Sequence, residues 1–242
     1  FALVRLQAYD ALAAAVLDAS GQPRTEWWPV AYALQRLEDP RAQPALRTLA
    51  GAAHPYTRAF AIKGLGGTRD RAAVGLLQPL LAGTDRIVAI EAARALARIG
   101  DASVAPALVA LVTTPGTDAS LRVEAASALA TLGGEGTADV LIDLLGDRDP
   151  QVRAAALRGL AQIDPQGFVF ILSGLDPDTN WATRVALATA LGSLPPEVAL
   201  PRLRGMLSDA DQRVIPSVLS AIAALRAPDA VQVMAGHLKA ED

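Results

Sequence analysis

Asp149-Pro150-Gln151-Val152-Arg153-Ala154-Ala155-Ala156-Leu157-Arg158-Gly159-Leu160 is the stretch whose reading decides the fold. It opens with a capping aspartate and a proline at the first helical position, where the missing N–H is not needed. Ala156, Leu160 and Ile163 then stand at offsets −4, 0 and +3, which is one face of a helix. The same face recurs along the chain. Small–large pairs at Ala33-Leu34, Gly64-Leu65, Ala95-Leu96, Ala128-Leu129, Gly159-Leu160, Ala190-Leu191 and Ala221-Ile222 are spaced by 31, 31, 33, 31, 31 and 31 residues. Offset −4 holds Val30, Ala61, Ala92, Ala125, Ala156, Leu187 and Val218, and offset +3 is aliphatic everywhere except at Thr68. A second column, Leu46, Leu77, Leu108, Leu141, Leu172, Leu203 and Met234, keeps the same register. Each repeat therefore carries two amphipathic helices, A and B, and a period of this length is the signature of a solenoid.

Turn residues separate the helices: Glu38-Asp39-Pro40, Gly66-Gly67, Gly100-Asp101, Gly133-Gly134, Asp164-Pro165, Pro195-Pro196 and Ala227-Pro228-Asp229 between A and B. The two-residue excess of the third interval is expected in a loop at Thr113-Thr114-Pro115-Gly116-Thr117. The expected fold is all-α, a right-handed α-solenoid of seven hairpins and one leading helix, fifteen helices without a β-sheet. The array occupies residues 23–242, with repeats near 25–53, 54–84, 85–117, 118–148, 149–179, 180–210 and 211–242. Hairpins that bury their faces only against neighbours form one continuous core, so no domain boundary is expected inside it. Residues 1–22 fall outside the register and form a leading helix, either the remnant of a preceding repeat or a cap.

The segment beginning Asp149-Pro150-Gln151-Val152-Arg153 resembles the bacterial HEAT-like repeat, including the short type named after phycobilisome lyases. The resemblance covers roughly residues 25–242. It implies fold, and because the pattern encodes packing it is nearly silent on function. Glu26-Trp27-Trp28-Pro29-Val30-Ala31-Tyr32 is also similar to HEAT regions of bacterial proteins that carry a cyclophilin-type prolyl isomerase domain, although no isomerase residues are present.

Composition agrees with packed helices. The chain is 52% hydrophobic but only 4% aromatic, so Ala and Leu carry its apolar content. With no cysteine, disulfides and thiolate metal sites are excluded. No apolar run is long enough to span a membrane. Residues 1–100 carry 12 Lys+Arg against 8 Asp+Glu, and residues 101–150 carry 2 against 8. No basic stripe is visible, which disfavours nucleic acid. Beginning at Phe1, the chain is expected to be a segment of a longer protein, in the bacterial cytoplasm or exported.

The candidate chemistry is sparse. Arg58, Arg122, Arg153 and Arg184 each lie seven residues before the large aliphatic of helix A. They are expected to tie repeats together through carboxylates such as Asp118 or Asp149; the alternative is an anion-binding ladder. His54 and His237 have no His or Cys partner at ligand spacing, so no metal is expected, and no cofactor. The paired His-Glu motifs of HEAT-type deoxyhypusine hydroxylases are absent, and so is any glycine-rich phosphate loop.

Surface columns say more. Residues flanking the B-helix core leucine, such as Pro44, Gly75, Pro106 and Gly174, make a small-residued lining on the expected concave side. Val109, Ile142 and Phe170 interrupt it, with Asp139 and Asp143 as an acidic rim. These five form the first candidate partner-binding surface, Phe170 being the anchor; the competing expectation is that curvature buries them. Trp27, Trp28 and Tyr32 form a second candidate, unless the leading helix covers them. The expected function is a non-catalytic scaffold that binds a protein or peptide as the arm of a larger bacterial protein. The alternative is an accessory domain of an enzyme, or a lyase-like cradle for a small ligand.

Overall fold

Both sequence columns become core. In the computed structural model, which describes residues 2–238 (Leu238 by its backbone alone), Leu34, Leu65, Leu96, Leu129, Leu160, Leu191 and Ile222 are all buried. So are Leu46, Leu77, Leu108, Leu141, Leu172 and Leu203, while Met234 in the last helix is half-buried. The described residues form sixteen α-helices and no strand. By its contacts the chain divides into two compact units, residues 1–134 and 135–242.

Residues 1–134 contain α1 (Ala2–Arg5), α2 (Tyr9–Val16), α3 (Trp28–Leu37), α4 (Gln43–Leu49), α5 (Pro55–Gly67), α6 (Val74–Leu77), α7 (Arg86–Ile99), α8 (Ala105–Thr113) and α9 (Ala119–Leu132). The A helices α3, α5, α7 and α9 stack in order, each on the next. Residues 135–242 contain α10 (Thr137–Asp143), α11 (Pro150–Ile163), α12 (Pro165–Ser173), α13 (Trp181–Leu191), α14 (Pro196–Met206), α15 (Ile215–Ala224) and α16 (Ala230–Leu238). Here α11, α13 and α15 stack in the same way.

The helix ends follow from side-chain caps. Asp85, Asp118, Asp149 and Asn180 accept backbone N–H bonds at the starts of α7, α9, α11 and α13, at 2.8–3.2 Å. His54 does the same for α5, its Nδ1 accepting from Tyr56 N at 3.3 Å. On the B side, Asp39, Asp70 and Asp101 each accept from the N–H two residues on and start a short 3-10 turn. The extra two residues of the third interval fall in the loop between α8 and α9, where Gly116 takes φ 87°.

Two local expectations are corrected. Gly66-Gly67 is not the A–B turn: α5 runs through Gly67, and the left-handed residue is Arg69 at φ 53°. Gly66 is there for packing, since a Cβ on it would lie 2.7 Å from Ala95 Cα on α7. The leading helix is two helices, α1 and α2, broken at Gln7, whose φ is 53°. Leu12 and Leu17 are buried, and α2 is tied to the first hairpin by Tyr9 Oη donating to Arg41 O at 2.9 Å.

Candidate interaction surfaces

Beginning with residues 135–242, α12 places two phenylalanines on opposite sides. Phe168 lies four residues before the core Leu172 and is fully buried, whereas Phe170 lies two residues before it and is 81% exposed. The expectation that curvature buries Phe170 is therefore corrected. Asp139, Ile142 and Asp143 on α10 are also exposed, Ile142 at 40%. Neither aspartate forms an ion pair with a described residue. Val109 belongs to the other unit, on α8, and is half-buried.

In residues 1–134, α1 and α2 do not cover the tryptophans: Trp27 is 64% exposed and Trp28 is 41%. Tyr32 is half-buried. The structure adds a residue that the sequence reading missed. Phe60 on α5 packs edge-to-face on Tyr32, centroids 5.2 Å apart, and lies 5.9 Å from Trp28; Trp28 and Tyr32 are 6.4 Å apart. Phe60 stands 32 residues after Trp28, close to one repeat, and that register is the signal that could have found it.

Arg122, Arg153 and Arg184 are structural, but their partners differ from those expected. Asp118 pairs with Arg86 and caps α9, while Asp149 caps α11. Arg153 instead reaches Asp178 with both Nε and Nη2, at 2.6 and 2.7 Å, and donates Nη1 to Asp147 O at 2.8 Å. Arg184 repeats this one hairpin on, with Asp209 at 2.7 and 2.8 Å and Asp178 O at 2.7 Å. Arg122 donates to Val112 O at 3.1–3.2 Å. No described carboxylate pairs with Arg58. A forked guanidinium bonded to the next hairpin's carboxylate and the preceding loop's carbonyl fixes the stacking angle of neighbouring hairpins.

These pairs set a pH dependence. The Arg184 hydrogen bonds hold the Asp209 carboxyl below its ordinary range. Burial pushes Asp178 up, but its bonds from Arg153 and Asn180 N outweigh this and leave it lowered too. A depressed carboxylate stabilises the fold above its unfolded pKa and loses that contribution as pH falls through the folded value. The melting temperature is therefore expected to fall steeply below about pH 4, and Asp178→Asn/Asp209→Asn should be less stable at neutral pH yet show a flatter acid limb. Parallel acid limbs in thermal melts would contradict this.

Among the described residues, no cluster of His, Asp and Glu could hold a metal ion, and no helix is long and apolar enough to cross a membrane. A recess of about 610 Å³ lies in residues 135–242 against α13 and α14 and is lined by Leu187, Met206, Pro177, Arg184 and Arg202. Its cations are occupied: Arg184 as above, and Arg202 by Leu172 O and Leu175 O at 2.5 and 3.1 Å.

Stacked helical hairpins define the class: a helical-repeat protein of the α-solenoid type. A HEAT-repeat profile matches residues 44–118, 115–169 and 168–242, and the chain belongs to the HEAT-repeat family. No match was found among curated proteins. Among solved structures, the chain is similar to the complex of CpcE and CpcF of phycocyanin lyase from Nostoc sp. PCC7120. The identity is 19%, the TM-score 0.57, and 89% of this chain and 94% of that one are covered. It is also similar to a mutant of Kap121p, at 14% identity and TM-score 0.57, covering 81% of this chain and 25% of that one. At these identities the likeness shows the fold alone.

Proposed function

We propose that the chain is a non-catalytic scaffold whose α12 face captures a protein partner. The observation that carries this is Phe170, 81% exposed on a helix whose other phenylalanine is fully buried. An aromatic ring so exposed has no role in packing its own hairpin. It supplies a large contact area with two rotatable bonds, the usual character of an interface anchor. Asp139 and Asp143 on α10 add open carboxylates one repeat earlier.

The test places a photo-crosslinking phenylalanine at position 170, identifies the crosslinked protein, and measures its affinity in purified form. Phe170→Ala should weaken that complex by at least about tenfold while Tm is unchanged. No crosslink, or an unchanged affinity, overturns the reading. A second reading, a cradle for a small ligand, draws on the recess beside α13 and α14, whose volume suits a ligand pocket. It predicts that Met206→Trp, which fills the recess, abolishes binding of the small ligand while Phe170→Ala leaves that binding unchanged.

A further inference from the structure

Two neighbouring helices of residues 1–134 carry the same ordered stripe. On α3 it is Trp28, Tyr32 and Arg36, and on α5 it is Tyr56, Phe60 and Lys63. Steps of three and four residues put each triplet on one side of its helix, aromatic toward the N-terminus and cationic toward the C-terminus. The two helices pack together, and Trp28, Tyr32 and Phe60 meet across that seam with centroids 5.2–6.4 Å apart. Trp27 and Tyr56, which is 56% exposed, extend the ring surface outward.

The cations on this face are uncompensated. Arg36 and Lys63 are exposed, and neither forms an ion pair with a described residue. The next helix shows what compensation looks like. On α7, Glu91 stands at the repeat position of Phe60 and Arg94 at that of Lys63. Arg94 is bonded to Glu91 at 2.7 Å and to Glu124 on α9. α7 thus neutralises Arg94, although its Arg98, at the repeat position of Arg36, is exposed and forms no ion pair with a described residue. What sets α3 and α5 apart is that their open cations stand beside clustered rings.

We propose that the α3–α5 face docks an acidic amphipathic segment of a partner protein. The segment's apolar side chains rest on the Trp28–Tyr32–Phe60 cluster and its carboxylates on Arg36 and Lys63. Rings held against one another lose little freedom on binding, so their buried area converts efficiently into affinity. Charge complementarity selects the partner, and the order of the stripes orients it, apolar residues toward the N-terminal ends of α3 and α5. Two open cations are too few for nucleic acid, where tight binders neutralise about six to ten phosphates. This surface is separate from that of Phe170 and stands or falls without it.

The experiment measures fluorescence anisotropy on the full chain with four probes. These are an amphipathic helical peptide with Glu on its polar face and Leu and Phe on the other, the same peptide with Lys for Glu, an oligothymidylate, and phosphatidylserine-containing vesicles. The acidic peptide should bind at least about tenfold tighter than the basic one and weaken with added salt. Arg36→Glu/Lys63→Glu, at two exposed positions, should keep Tm, lose the acidic peptide by a similar factor and gain the basic one. Trp28→Ala should weaken both peptides alike. Absent saturable binding of the acidic peptide, an unchanged affinity in Arg36→Glu/Lys63→Glu, or tighter binding of the oligothymidylate or the vesicles overturns the proposal.

Discussion

Phe168→Ala is expected to destabilise residues 135–242 by about 3–5 kcal/mol, while Phe170→Ala, two residues away, changes stability by less than about 0.5 kcal/mol. Phe168 is the largest fully buried side chain among the described residues, at 0% exposure, and sits on the inner side of α12. That helix has only nine residues, too few to be stable by propensity, so it depends on what it buries. Truncation removes the ring's transfer free energy and leaves a cavity that a short helix anchored by Asp164 closes incompletely. Phe170 makes no such contribution, because its ring is solvated in the folded and unfolded states alike. Chemical denaturation of the two variants measures the contrast directly. Equal losses would mean that Phe170 packs against its own chain, and its use as an anchor would fall with that result.

The same pair shows what was legible beforehand. Register against Leu172 separates an inward Phe168 from an outward Phe170, because helical periodicity is local and a column of leucines fixes the phase. The packing columns were readable for that reason in all seven hairpins. Other features resisted. Glycine serves both a left-handed turn and a close helix approach, and the letters Gly66-Gly67 do not say which; the contact with Ala95 decides it. Asp118 and Asp149 looked like the partners of the arginines because they are near in sequence, but Asp118 pairs with Arg86 and Asp149 caps α11. The partners proved to be Asp178 and Asp209, each 25 residues after its arginine, a spacing visible only when the chain is laid out repeat against repeat. The aromatic cluster was half-legible: Trp28 and Tyr32 share one helix, whereas Phe60 joins them only through the stacking of α3 on α5.

Leu160→Ala is expected to cost about 2–5 kcal/mol. Leu160 is 1% exposed at the centre of α11, the helix whose sequence first revealed the repeat, and α11 packs on both α12 and α13. Its neighbours at the seam are already small: Ala156 at 0% exposure, and Gly159. Small residues let the backbones approach closely, and backbones in contact cannot move inward to fill a void, so the cavity should persist and the cost should fall in the upper half of the range. The repeat architecture sharpens the outcome. Each hairpin is held by its neighbours, so a loss at α11 removes support from α12 and α13 together. Hydrogen exchange should then show α11, α12 and α13 losing protection in concert. Loss confined to α11, or a denaturation midpoint equal to that of the parent, would show that the column through Leu160 is not what holds these hairpins together.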